Sequence, residues 1–184
     1  MATDEALYKA YLDGDDASLA SLMELYGDKL TFYINGYLYD MHDSEDLMIE
    51  AFAYLISKKP HIREGCFKSY LYKIARNLSL RFVKRKHLKH NFSFEEIEKE
   101  PESKILIEEI VQKEDFNQSL YLCMDRLKPD YREALYLVYF EDMHHSEAAT
   151  VMGKSKKQVS DLVYRGRNSL RKYLEQEGIT NAEY

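Results

Sequence analysis

The chain has 184 residues, 45% of them hydrophobic and 32% charged, with a net charge of -6. That length buries one ordinary core or two small ones, and 16 Tyr and 8 Phe argue against global disorder. Cys66 and Cys123 stand far apart without CxxC spacing, which argues against a disulfide framework or a zinc site and fits reduced thiols in the cytoplasm.

The N-terminal MATDEALYKAYLDGDD is acidic and has no apolar run of signal-peptide length. No later stretch approaches the ~18 uncharged apolar residues of a membrane span, so a cytoplasmic protein without membrane insertion is expected. Charge is segregated along the chain. Residues 1–57 carry a net -10, residues 58–92 a net +10, residues 93–126 a net -6, and residues 127–184 balance at zero. Blocks of opposite sign face different partners or pair with each other within the chain.

In chain order the reading is almost wholly helical. Gly and Pro are scarce, no strand alternation persists, and apolar residues recur at helical spacing through LASLMELYGDKLTFYINGYL, interrupted by Gly27 and Gly36. Asp43 is expected to cap the next helix, over about residues 44–56, with Asp46 near its third position and an acidic first turn that suits the helix dipole. The loop SKKPHIREGC follows, marked by Pro60 and Gly65.

Then comes FKSYLYKIARNLSLRFVKRKHLKH, with eight Lys and Arg and no carboxylate. Phe67, Tyr70, Leu71, Ile74, Leu78 and Phe82 fall at steps of three and four and form one apolar face. Lys73, Arg76, Asn77 and Lys84 fall on another, where spaced cations match the repeat of a phosphate backbone better than any single carboxylate. Tyr72, Phe67 and His61 are expected to offer rings to unstacked bases. The competing reading is that rings at helical spacing are core, as expected of Tyr70 and Phe82.

From residue 91 to about 118 the sequence turns acidic and poor in aromatics, with Pro101, and reads as a tether holding a short helix at about residues 105–111. It divides the chain into domains at 1–90 and 117–184, with 91–116 between them. The tether keeps the domains apart and soluble, or it runs through a basic channel. Both readings stay open.

The most specific pattern is EAATVMGKSKKQVSDLVYRGRNSLRKYL. Ala149 precedes Gly153 by four positions, and Val159 and Leu162 follow it by six and nine. That is helix-turn-helix spacing: a small residue at the crossing, a glycine for the left-handed turn, and apolar residues seating the second helix. Ser155 caps a recognition helix to about residue 174. Lys156, Lys157, Gln158, Ser160, Asp161 and Tyr164 are expected at the DNA groove, and Arg165 and Arg167 at phosphates.

Three fragments in this order resemble the extracytoplasmic-function (ECF) sigma factors, the two-domain minimal form of the sigma-70 family. DSEDLMIEAFAYLI resembles D-A-E-D-L-V-Q-E-x-F, FKSYLYKIARN resembles F-x-x-W-L-x-R-I-A-R-N, and LKPDYREALYL resembles L-P-x-x-x-R-x-x-x-x-L before the DNA-reading helices. The resemblance implies an all-α protein of two domains that binds core RNA polymerase and promoter DNA. It implies polymerase contacts at Asp43, Glu45, Asp46, Leu47, Glu50 and Phe52. It implies capture of the melted -10 strand by residues 61–85, among them His61, Arg63, Phe67, Tyr72, Lys73, Arg76, Asn77 and Lys84, with a flipped base near Gly65 and Cys66. The helix-turn-helix would read the -35 element, the tether would occupy the RNA exit path, and an anti-sigma protein is a further expected partner.

This chain departs from the family pattern at Ile49, usually Gln, and at Tyr70, often Trp. His144 stands where Ser or Thr commonly caps, and Ser160 and Asp161 replace a segment often carrying Arg. His144 and His145 point in different directions around a helix and make no metal site. No catalytic constellation, metal or cofactor is expected. A stand-alone helix-turn-helix regulator and an adaptor that keeps the fold without DNA function are the alternatives.

Overall fold

The computed structural model describes residues 3–90 and 115–179. The expected helix at 105–111 and most of the tether lie outside them. Contacts divide the chain into two units, Met1–Lys99 and Glu100–Tyr184. Among the described residues every regular element is helical.

The first unit holds α1 (Asp4–Leu12), α2 (Asp16–Leu38), α3 (Met41–Lys58) and α4 (Phe67–His90). Side-chain oxygens start the first three: Thr3 accepts from Ala6 N at 3.3 Å, Asp15 from Ala17 N at 3.1 Å, and Asp40 from Asp43 N at 3.1 Å. The cap of α3 is therefore Asp40, three residues before the expected Asp43, and the helix gains its first turn from Met41. Gly27 and Gly36 do not interrupt α2, because the apolar stripe around them is held by packing rather than by propensity. Leu22, Leu30 and Ile34 of α2, Phe52 and Leu55 of α3, and Phe67, Leu71 and Tyr72 of α4 form its core, all at 1% exposure or less.

The second unit holds α5 (Asp115–Asp125), α6 (Pro129–Leu135), a π-helical turn (Tyr136–Phe140), α7 (His145–Met152) and α8 (Lys156–Gln176). Helix α5 begins where the tether was expected to continue. Pro129 opens α6, where its missing N–H is no loss. Gly153 ends α7 at φ +64, the left-handed conformation that the turn requires. Ser155 Oγ then accepts from Gln158 N at 3.2 Å, and Gln158 Oε1 accepts from Ser155 N at 2.7 Å, a reciprocal cap that launches α8. Val159 and Val163 are buried while Leu162 is only half-buried, so Val163 takes the seating role expected of Leu162. Gly166 lets α8 cross α6: a Cβ there would lie 3.2 Å from Leu135 Cδ1.

Candidate nucleic-acid and polymerase interfaces

On α3 the exposed acids are Glu45, Asp46 and Glu50, with Ile49 among them at 54% exposure. Ile56, 44% exposed two turns further on, extends an apolar line through this acidic face. The sequence reading marked Ile49 only as a departure and passed over Ile56. Their exposure was hidden because isoleucine at helical spacing ordinarily signals core. Leu47 and Phe52, expected as contacts, are 4% and 1% exposed and hold α3 in place from its inner side. Asp43 is partly covered and its Oδ2 lies 3.4 Å from Lys86 Nζ of α4.

The solvent face of α4 carries Lys73, Asn77 and Lys84, joined by Arg81, Arg85 and His87, all exposed. Arg76 is half-buried at the flank. His61 and Arg63 are exposed in the loop before α4. Lys73, Arg81, Lys84 and Arg85 thus face solvent, while Lys86 pairs with Asp43 of the acidic first block. Arg81 and Arg85 were missing from the expected contact set although they share the charge and the helix.

The expected rings need correcting. Phe67 and Tyr72 are both 0% exposed and offer no face to a base. Tyr72 packs on Tyr26 and Tyr33 of α2, with ring centroids 6.5 and 5.1 Å away, and Phe67 packs on Tyr8 and Tyr26 at 5.2 and 6.0 Å. The reason is geometric. Helix α4 is covered by α1, α2 and α3, so its buried face is wider than one apolar stripe and takes in Tyr72 and Ser79. Tyr70, expected in the core, is instead half-buried, and burial with a hydrogen bond to Tyr54 raises its hydroxyl above the usual tyrosine range.

In the second unit Lys156, Lys157, Gln158, Asp161, Tyr164 and Arg165 are exposed on α8, Tyr164 at 69%. Gln158 has its side-chain oxygen engaged by the cap. Ser160 is half-buried and its Oγ lies 3.0 Å from His145 Nδ1, tying the two helices of the motif together. Arg167 sits over the Tyr139 ring at 5.9 Å. His144 opens α7 with its N–H donating to Glu147 Oε2 at 2.7 Å, the glutamate half of a capping box. Beside it lies a cavity of about 370 Å³ lined by Val138, Met143, His144, His145, Ser146 and Lys156.

Among the described residues no group of three or more His, Cys, Asp or Glu is arranged to hold a metal, and no helix is long and apolar enough to cross a membrane. The first unit thus sets a cationic helix beside an acidic one, and the second carries a helix-turn-helix with an exposed cationic face. The chain matches sigma-70 region 2 over residues 22–88 and sigma-70 region 4 over residues 117–170. It belongs to the sigma-70 family, in the ECF group.

Curated relatives include the ECF RNA polymerase sigma factor SigE of Mycolicibacterium smegmatis, 27% identical over 98% of this chain and 73% of that protein. SigW and SigM of Bacillus subtilis are 25% and 26% identical, over 88% and 89% of this chain and 91% and 99% of theirs. Two solved structures share the fold. CnrH in complex with the cytosolic domain of CnrY has a TM-score of 0.64 at 20% identity, over 94% of this chain and 97% of that one. The sigma factor RpoE of Bartonella quintana, in complex with the anti-sigma factor NepR, has a TM-score of 0.63 at 21% identity, over 85% and 96%.

Proposed function

We propose that this chain is a sigma factor that joins core RNA polymerase in the cytoplasm and directs promoter recognition and melting. Residues 1–90 form the domain that docks on polymerase and holds the -10 strand, 91–116 the linker, and 117–184 the domain that reads the -35 duplex. The chain works as an initiation factor and leaves the chemistry to polymerase. The acids Glu45, Asp46 and Glu50, with Ile49 between them, supply the polymerase-facing surface. Lys73, Asn77 and Lys84, aided by His61 and Arg63, hold the parted strand, and α8 enters the major groove.

The observation that carries this reading is the solvent face of α4, where cations stand exposed without a carboxylate on the same helix. A carboxylate there would repel the phosphates of a melted strand and raise the cost of separation. That two similar folds were solved with partner proteins supports an anti-sigma partner for this chain as well.

The test is transcription by sigma-free core polymerase supplied with this chain and a promoter library. Starts downstream of a shared pair of elements are expected. Tight operator binding by the isolated chain, with no polymerase-dependent starts, would instead indicate a stand-alone regulator.

A further inference from the structure

From Lys154 to Lys172 the chain carries seven cations and a single acid, Asp161. Asp161 is exposed, on the side of α8 away from the buried Val159, Val163 and Gly166. Lys157 and Arg165 stand four residues before and after it, where ion pairs form on a helix. Yet no ion pair engages Asp161 among the described residues. An unengaged carboxylate at the centre of a phosphate-binding face works against binding to DNA in general. It gains only where a donor waits in the groove.

The geometry points to Asp161 as a specificity-determining residue that selects cytosine at one position of the duplex element read by α8. This rests on the promoter-reading function proposed above. In the major groove guanine presents two acceptors, and thymine an acceptor and a methyl group, so both repel a carboxylate. Adenine presents its N6 donor between two acceptors, its own N7 and the paired thymine O4, whereas the cytosine N4 donor has an acceptor on one side only, the O6 of its paired guanine. The expected order is cytosine, then adenine, then guanine and thymine. Lys157, Tyr164 and Arg165, exposed around Asp161, supply affinity around the selected base.

The test uses the full chain with core polymerase on templates randomised through the upstream element. Wild type should show one position enriched for cytosine, with roughly tenfold loss of transcription when guanine or thymine replaces it. Asp161→Ala should flatten that position alone and raise transcription from templates lacking the cytosine. Asp161→Asn, which can pair with adenine N6 and N7, should admit adenine there. Because Asp161 is exposed, both variants should melt like wild type by circular dichroism. A defined upstream element with the same base preferences in Asp161→Ala as in wild type overturns this inference and leaves the proposed function standing. Absence of promoter-specific starts with wild type overturns both.

Discussion

Lys86 Nζ lies 3.4 Å from Asp43 Oδ2, joining the cationic helix α4 to the acidic helix α3 across the first unit. Both side chains are partly solvated, and pairs of this kind contribute about 1 kcal/mol or less. Asp43→Asn should therefore lower Tm by about 8 °C at most, less in high salt, since screening weakens the pair. A larger loss of polymerase binding than of stability, measured on the same variant, would assign Asp43 a direct contact.

The burial of Phe67 and Tyr72 separates stability from strand capture. Truncating a fully buried ring costs roughly 3–5 kcal/mol. Phe67→Ala and Tyr72→Ala should thus lose transcription in step with the fraction unfolded, followed by urea denaturation. A variant that keeps wild-type stability yet fails to hold a single-stranded -10 oligonucleotide would restore the stacking role.

The helix-turn-helix was the most legible part of the sequence, because each of its signals has one physical cause. Gly153 must adopt positive φ, Ser155 and Gln158 must cap each other, and Val159 must seat the helix. The cationic face of α4 was legible for the same reason, since charge without carboxylates needs solvent or a partner. Which rings on α4 face inward was not legible. Phe67, Tyr70 and Tyr72 have similar side chains at neighbouring positions, and only the packing of three other helices decides among them. Gly166 escaped notice as well, because a helical glycine without positive φ announces itself only through what lies opposite.

At Gly166 the tight approach can be measured. An added Cβ meets Leu135 Cγ at 3.2 Å and Tyr131 Cβ at 3.3 Å. In Gly166→Ala the helix propensity gain of about 1 kcal/mol opposes a small overpacking cost, so stability should stay within about 1 kcal/mol of wild type. Gly166→Val cannot relax so easily and should cost about 1–3 kcal/mol. Combining it with Leu135→Ala should give less than the sum of the single effects by at least about 0.5 kcal/mol, because both act on one contact. Strict additivity in urea titrations would show that the crossing has room to spare.

Alkaline pH should loosen the first unit through Tyr8. Its hydroxyl donates to Pro60 O at 2.9 Å, tying α1 to the loop before α4. Burial, then the neighbouring Tyr70 and Tyr11, push its pKa up from 10.0 to about 12. The folded value lies above the unfolded one, so the unfolded chain gives up its proton first. The stabilising contribution is complete below pH 10 and is lost as pH rises through about 12. Thermal melts should show Tm falling across that window, with tyrosinate absorbance rising late. Tyr8→Phe should make the fall shallower, and an unchanged slope would remove Tyr8 from the account.

Lys73 and Lys84 test the strand grip itself. Both are exposed, so replacing them with Gln should leave the melting temperature nearly unchanged. Each phosphate contact on a single strand contributes about 0.7 to the slope of log affinity against log salt. If both lysines hold phosphates, the double variant in the polymerase complex should bind the melted strand with a slope shallower by about 1.4, twice the single-strand value per contact. Its deficit should be greatest at low salt and shrink as salt rises. Recognition of the upstream duplex by α8, in the other unit, should keep its base preferences. A double variant that opens promoters as wild type does, with an unaltered salt slope, would mean the cations of α4 serve solubility alone.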